Sequence, residues 1–328
     1  MRVAVVGAGM AGLGAARTLR EAGIATVVFE KSRGFGGRVA TRRIADYTFD
    51  HGATIVSPRG TELEGVILNE LSTDQLVEIV KPIYLSTDDR VTPVDPEAGK
   101  IKRFGYQNGV NTLGKLLAVD LDVRLESKVE AIKKDGPHYT ILGESFSHVI
   151  LTAPIPQTEV LLASAGDKRS FAGSQYRKCI SIMFGVDEEI DRPYHALLDP
   201  NQSQPLTWLS LEHVKIPGGF RAPEGKSALV VQMSARYSRY SFEREDATII
   251  GDTWVDIKRL LKLKVALPEV SGVMRWNYSH ASNTVSYETA NQLGAKILVA
   301  GDGISGARTH QAYAIGIRAA NQILAGEE

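Results

Sequence analysis

Gly7, Gly9 and Gly12 stand in the spacing Gly-x-Gly-x-x-Gly, with Met10 and Ala11 inside it. An apolar run, residues 2–6, precedes them, and a helix-like run to Gly23 follows. A second apolar run, 26–29, ends on Glu30. Each residue type has a use at its place. Gly7 allows a sharp turn, Gly9 has no Cβ to hold a phosphate off the backbone, and Gly12 lets a helix lie close on a strand. The helix N-terminus then offers free N–H groups and a partial positive charge. Glu30 can accept hydrogen bonds from a ribose diol. The implied chemistry is dinucleotide binding. Two blander readings compete with it: a doubly wound domain without a cofactor, and a solvated strand-end acid at position 30.

A second glycine loop follows at once: Lys31, Arg33, Gly34, Gly36, Gly37 and Arg38. A nicotinamide dehydrogenase needs no such loop, whereas a protein holding FAD extended across its domain often has one. Gly36 and Gly37 would let backbone pass under the cofactor, and Arg38 would reach its phosphates or the flavin edge. The competing reading is a flexible basic loop. Next come Asp50, His51, Gly52, Ala53 and Thr54 after a short aromatic strand. Gly52, Ala53 and Thr54 are placed for close approach to the cofactor, and Asp50 would brace the arginine loop. His51 could lie over the flavin, carry a covalent link to it, or occupy a plain turn.

Further along, Val129 ends a strand whose backbone would recognise adenine. Thr152 and Ala153 end a buried strand stopped by Pro154 and Pro156, beside the pyrophosphate or ribityl chain. Gly301 and Asp302 close the last strand, where Asp302 can bind ribityl hydroxyls. The helix that follows, with Gln311, Ala312, Ala314, Ile315 and Gly316, can aim its N-terminus at the flavin N1 and C2 carbonyl, where charge gathers on reduction. Strand alternation would turn Trp276 and Tyr278 to one side and Arg275 to the other. Trp and Tyr suit a wall for a flat substrate, though core packing uses the same residues.

These residues need elements to hold them. Strand, glycine turn, helix and strand over residues 2–30 open a doubly wound domain, expected at 1–60, 106–156 and 287–328. Residues 61–105 and 157–286 read as a substrate domain. Within it, Leu63, Val66, Ile67, Leu68 and Leu71 recur at helical spacing. Strand-like fragments fall at 82–85 and 101–106, flanking a polar, proline-bearing stretch at 82–96. Further strands are expected at 178–186, 205–213, 226–235 and 272–278, with a helix near 243–264. Asn111 or Thr112 could cap a helix.

Bulk properties narrow the class. The chain has 328 residues, enough for ample core, and 43% apolar residues, ordinary for a soluble globular protein. Its formal net charge is zero, so no global field draws it to nucleic acid or anionic lipid. The basic-aromatic stretch 236–240 reads as an ordinary polar edge. The single cysteine, Cys179, rules out an intramolecular disulfide and reads as core filler. The seven histidines are scattered without ligand spacing, so no metal is expected. No Gly-x-Ser-x-Gly element marks a hydrolase. No apolar run is long enough to span a bilayer, and the start belongs to the nucleotide site rather than to a signal peptide. A cytoplasmic protein is the expectation.

In sum of motifs, the chain resembles FAD-dependent proteins of the amine-oxidase type, and within them the renalase family. The resemblance rests on Gly7, Gly9 and Gly12, on the phrase from Phe29 through Arg38, on Asp50, Gly52 and Ala53, on Gly109 to Leu113, on His148 to Pro154, on Arg275, Trp276 and Tyr278, and on Gly301 and Asp302. It runs in family order over nearly the full length. His51, Met274 and the segment 279–286 depart from the family pattern. The resemblance implies an α/β fold: a Rossmann-like FAD-binding domain of the glutathione-reductase and amine-oxidase type, with an inserted α+β substrate domain built on an antiparallel sheet. It implies an FAD-dependent oxidase acting on 2- or 6-dihydro isomers of NAD(P), with oxygen reduced to hydrogen peroxide. Such a donor carries no proton that must be removed, so positioning would dominate catalysis. His51, Arg275, Trp276, Tyr278 and His280 are the candidate catalytic residues, the histidines and arginine as positive charge for substrate phosphates. An oxidase or dehydrogenase of another small molecule, an amine or a polyene, is the alternative. So is a non-catalytic protein that only holds a dinucleotide.

Overall fold

A computed structural model of the protein describes residues 1–87, 90–94, 101–304 and 306–326; part of the proline-bearing stretch at 82–96 therefore lies outside the described residues. The N-terminal third contains β1 (Arg2–Val6), α1 (Met10–Glu21), β2 (Ala25–Phe29), β3 (Thr41–Ile44), β4 (Tyr47–Asp50) and α2 (Glu62–Gly65), which runs into a π-helical turn (Val66–Glu70). Then come β5 (Leu76–Glu78), β6 (Ile83–Thr87), β7 (Arg90–Pro93), β8 (Phe104–Tyr106), α3 (Thr112–Leu117), β9 (Asp122–Arg124), β10 (Lys133–Asp135), β11 (His138–Ile141), β12 (Glu144–Phe146), β13 (His148–Leu151) and α4 (Ile155–Ser164). The remainder holds β14 (Gln175–Val186), β15 (Ala196–Leu198), β16 (Leu206–Leu211), α5 (Glu212–Lys215), β17 (Ser227–Met233), α6 (Ala235–Ser241), α7 (Asp246–Leu261), β18 (Val270–Asn283), α8 (Tyr287–Ala290), β19 (Ile297–Val299) and α9 (Thr309–Ala325).

Five parallel strands form the first sheet in the order β19-β13-β1-β2-β9. Its central strands read as near-continuous apolar runs because helices and loops cover both faces. Val3, Ala4, Val5, Val149, Ile150 and Leu151 are fully buried there. The helix α1 lies against α9 at backbone contact, which only small residues allow. A Cβ built on Gly316 would stand 1.9 Å from the Ala11 carbonyl oxygen. One built on Gly12 would stand 1.8 Å from the Gly7 carbonyl oxygen, which is why the helix can follow so closely on the turn.

The second sheet has seven strands in the order β18-β14-β17-β16-β15-β6-β7, antiparallel except where β15 meets β6. Alternation along β14 separates two faces. Ile180, Ile182 and Phe184 join a core with Ile249, Trp254, Ile257 and Leu261 of α7. Met183, on the other side, packs with Tyr47, Phe49 and Val230, so β4 of the first part is sealed against the second sheet. The architecture is the expected α/β class, a Rossmann-like parallel sheet with a second, antiparallel-rich sheet.

Two local expectations need correction. Leu63, Val66 and Ile67, read as the start of the substrate domain, pack into the first core with Leu13 and Tyr313. Their helical spacing was sound, but periodicity does not say which core a face meets. The strand expected at 205–213 stops at Leu211, where the chain turns into α5. The stretch 236–240, read as a polar edge, lies in the helix α6 with Arg236, Arg239 and Tyr240 exposed; Ser234 caps it, its Oγ accepting from the Tyr237 N–H at 3.1 Å. Asn111 does precede α3, but its side chain makes no cap bond.

Substituting Gly316→Ala forces the two helices apart. It should lower unfolding free energy by about 1–3 kcal/mol, the usual range for overpacking, measured by urea denaturation. A variant as stable as the parent would contradict the backbone contact between α1 and α9.

Candidate functional site

The two glycine loops lie against each other. Gly36 donates its N–H to the Ala8 carbonyl at 2.8 Å. Gly37, at φ +59°, brings its Cβ position within 3.3 Å of the Gly9 Cα. Gly9 is the N-cap of α1 in extended conformation, with no side-chain cap and no acid in the first turn. A Cβ on Gly9 would meet nothing within 4 Å. The first-turn N–H groups of Ala11 and Gly12 thus face an uncrowded, partly positive helix end open to a ligand. That cradle suits a diphosphate. Beside it, the Thr152 hydroxyl donates to the Val6 carbonyl at 2.8 Å and holds β13 to the turn. The Ala153 carbonyl accepts from Thr158 at 2.9 Å.

Glu30 is buried and ties the cradle together. One carboxylate oxygen accepts from the Ala8 N–H at 2.7 Å, the other from the Ser32 N–H at 2.9 Å and its hydroxyl at 2.7 Å. A carboxylate has about four acceptor sites, so capacity for a ribose hydroxyl remains. Lys31 is exposed, with only a long contact of 3.5 Å to Gln157. Val129 is buried at the edge of the first core.

Arg38 joins the two ends of the chain. Its guanidinium donates to both oxygens of Asp302, at 2.6 and 2.7 Å, and to the Tyr278 carbonyl at 3.0 Å. Burial alone would ease its proton off, but the Asp302 hydrogen bonds and charge outweigh this and raise its pKa. Tyr176, unnoticed in the sequence, donates to Asp302 at 3.3 Å and meets Tyr278 edge-on at 5.5 Å between centroids. Gly301 precedes this aspartate. In the last helix, Gln311 folds back on the helix start, accepting from the Arg308 N–H at 3.2 Å in a capping box. Ala312 and Ala314 are half-buried behind it and Ile315 is buried.

Residues 50–54 line the other side. The His51 N–H donates to the Ala40 carbonyl at 3.1 Å and the Ala53 N–H to the Arg38 carbonyl at 2.8 Å, so this segment rests on the second glycine loop. The Trp276 indole stacks on the His51 ring at 5.4 Å and 19°, and its Nε1–H donates to the His51 carbonyl at 3.1 Å. Gln232 donates to the Gly52 carbonyl at 2.7 Å. The Thr54 carbonyl accepts from Lys215 at 2.8 Å. Asp50 does brace this region, with partners sequence reading missed. It accepts from Thr41 at 2.7 Å, from the Val110 N–H at 2.8 Å, from Lys215 at 3.0 Å and from Arg221 at 2.9 Å. Burial would raise its pKa, but Lys215 and Arg221 hold it well below the usual carboxylate range. No spacing pattern announces Lys215, Glu212 or Arg221; the one hint is that charges interrupt the apolar run ending at Leu211.

Trp276 and Tyr278 share the face of β18 that meets the cofactor loops, with His280 exposed beyond them. Arg275 does not join them. Its guanidinium donates to the Phe242 and Arg244 carbonyls at 2.6 Å each and to Asp246 at 2.5 Å, anchoring the α6–α7 connection on the opposite face. The expectation of positive charge from the histidines is also corrected. Burial first, then Arg42, pushes His51 down to about 4 despite Asp50. Burial and Arg177 lower His280. The wall is therefore aromatic and uncharged at neutral pH. Cys179 lies in β14, half-buried, its thiol pushed up to about 11 by burial. Among the described residues no group of three or more His, Cys, Asp or Glu is placed to hold a metal, and no helix is long and apolar enough to cross a membrane.

Two outcomes follow from this geometry. Gly9 has φ −78° and ψ −178°, which valine adopts freely, and free space around its Cβ. Gly9→Val should therefore fold with stability within about 0.5 kcal/mol of the parent, yet purify without flavin; a fully loaded variant would displace the phosphates from this cradle. The second outcome concerns His51 and His195, both lowered by burial to about 4. The unfolded imidazole titrates near ~6.5, so the unfolded chain binds protons that the folded one refuses. Stability is complete above that value and falls as the pH drops toward 4, by up to about 1.4 kcal/mol per pH unit for each histidine. Urea midpoints at acid and neutral pH read this slope, and His51→Asn should make it shallower.

Comparison with known proteins agrees with this geometry. Residues 5–70 match an NAD(P)-binding Rossmann-like domain. A 4,4'-diapophytoene desaturase (4,4'-diaponeurosporene-forming) of Staphylococcus aureus is 32% identical over 101 residues, which are 29% of this chain and 20% of that protein. The chain thus aligns with about a fifth of the length of the curated relatives it matches. Among solved structures, a putative protoporphyrinogen oxidase from Exiguobacterium sp. 255-15 superposes with TM-score 0.79 at 14% identity, covering 98% of each chain. Putrescine oxidase bound to putrescine superposes with TM-score 0.74 at 16% identity, covering 99% of each. At such identities these likenesses speak for the fold. Residues 84–324 match the flavin containing amine oxidoreductase family. Because that match takes in well over half of the chain, this protein belongs to the flavin containing amine oxidoreductase family.

Proposed function

We propose that the protein oxidises a flat dihydropyridine donor of the dihydronicotinamide type, the 2- or 6-dihydro isomers of NAD(P), with molecular oxygen as the acceptor. FAD, when bound, supplies the hydride acceptor and returns the two electrons to oxygen, giving hydrogen peroxide. The donor leaves as the aromatic nicotinamide cation, so no proton need be abstracted from it. What the chain must do is hold a planar ring in place and keep water away.

The observation that carries this reading is the uncharged aromatic wall. Trp276 is fixed on both sides, by its stack on His51 and by its bond to the His51 carbonyl. Tyr278 is fixed by Tyr176 and by the Arg38 bond to its own carbonyl. Rigid rings at fixed spacing offer stacking area with little entropy to lose. His51 is neutral and buried, and Asp302 is engaged by Arg38. The candidate wall residues therefore offer neither a charged base nor a carboxylate for an ammonium ion. The residues that would hold the cofactor are Gly9, the first turn of α1, Glu30, Gly36, Gly37, residues 52–54 and Asp302.

The family match itself favours a second reading, oxidation of an amine, in which Tyr176, Tyr278 and Trp276 would surround the neutral nitrogen. Membership of an oxidoreductase family supports a catalytic role over a purely ligand-holding one. Anaerobic mixing with a 2- or 6-dihydronicotinamide dinucleotide should bleach the visible flavin absorbance within a turnover, and air should restore it with one peroxide per donor. Trp276→Ala should slow that bleaching by about 10- to 100-fold while flavin stays bound. Amines that bleach the flavin where dihydronicotinamides fail would replace the first reading with the second.

A further inference from the structure

The segment 50–54 is held by side chains that belong to the second sheet and its α5 helix. The Asp50 N–H donates to Glu212 at 3.1 Å. The Gly52 carbonyl accepts from Gln232 at 2.7 Å, and the Thr54 carbonyl from Lys215 at 2.8 Å. Lys215 in turn donates to both Glu212 oxygens at 2.8 Å, and Ser210 donates to one of them at 2.7 Å. The side chains of Lys215, Glu212, Asp50 and Arg221 are all 0% exposed. Two anions and two cations thus balance inside the protein, at the junction of the two sheets.

Such a cluster is a poor way to gain stability, because desolvation opposes the pairing. It is a good way to set position, since the Lys215 ammonium and the two carboxylates are each held from several directions at once. The position it sets is that of a segment with two neighbours at the site. One is the second glycine loop, through the Ala53 bond to the Arg38 carbonyl and the His51 bond to the Ala40 carbonyl. The other is the Trp276 wall, through the His51 stack.

We propose that Glu212, Lys215 and Gln232 are positioning residues for the flavin site: together they fix the backbone of residues 50–54, and through it the Arg38 loop and the His51–Trp276 wall. None of them need touch cofactor or donor. The proposal is independent of which donor is oxidised, because it concerns how the site is held.

Two variants test it in the FAD-loaded full chain. Glu212→Gln with Lys215→Met removes one charge of each sign and leaves Asp50 paired with Arg221. Gln232→Leu removes the third anchor without touching the buried charges. Arg169→Met is the control. Arg169 is bonded to Asp167 and to the Ala290 and Ile297 carbonyls, in the first part and away from residues 50–54. The readouts are amide hydrogen exchange of the peptide spanning 50–54 and the visible circular dichroism of the bound flavin. The expected result is exchange at 50–54 faster by tenfold or more and a changed flavin band in both test variants, while the control lowers the melting temperature and moves neither. Should the charge-pair variant fail to fold, Gln232→Leu decides alone. A folded test variant with parental exchange at 50–54, or with a parental flavin band, overturns the proposal and leaves the cluster a stabilising feature only. Neither readout requires a substrate, so failure of the dihydropyridine assay and failure of this proposal are separate results.

Discussion

Asp50 is the carboxylate at which the nucleotide-binding part and the second sheet are tied together. Both its oxygens are fully used, by Thr41 and the Val110 N–H on one and by Lys215 and Arg221 on the other. These partners come from β3, the turn before α3, α5 and the loop before β17, so one carboxylate ties the nucleotide-binding part to the second sheet. An ion taken wholly out of water is tolerable only if its charge and lone pairs are met. Removing a partner from such a set costs about 3–5 kcal/mol, because it leaves an uncompensated charge rather than merely losing a bond. The constraint is one of geometry: the two sheets can meet only in the arrangement that closes this circuit.

Around that junction, small residues and aromatics divide the work. Glycines allow the backbones of α1, α9 and the two loops to touch, which leaves an open anion cradle at Gly9. Aromatic rings then close the other side, with Trp276 on His51 and Tyr278 on Tyr176. Arg38 belongs to both halves of the site. It pairs with Asp302 near the C-terminus and supports the Tyr278 carbonyl in the wall. A cofactor lodged between these groups would therefore be sensed by the substrate wall through one guanidinium.

Family membership and geometry speak at different depths. The match to flavin containing amine oxidoreductases assigns cofactor and reaction class. It does not choose among amines, polyenes and dihydropyridines, since the chain is similar in part to a desaturase in sequence and to oxidases in fold at low identity. The choice must come from the wall. There the neutral imidazole and the absence of a free acid among its candidate residues are what the proposed dihydropyridine donor rests on.

Much of the nucleotide-binding half was legible without coordinates. The spacing of Gly7, Gly9 and Gly12, the acid at Glu30, the second glycine pair and the Gly301–Asp302 strand end are local patterns. Local backbone geometry imposes them, so they can be read along the chain. Alternation in β18 likewise told that Arg275 and Trp276 part company, though not that Arg275 leaves the site for Asp246. The residues that no pattern disclosed are those brought together across long stretches of chain: Lys215 and Arg221 on Asp50, Tyr176 on Asp302, Gln232 on Gly52. Charge states belong with them. His51 is neutral because of what buries it, and burial is decided by packing between two sheets, which a one-dimensional period of 2.0 or 3.6 does not encode.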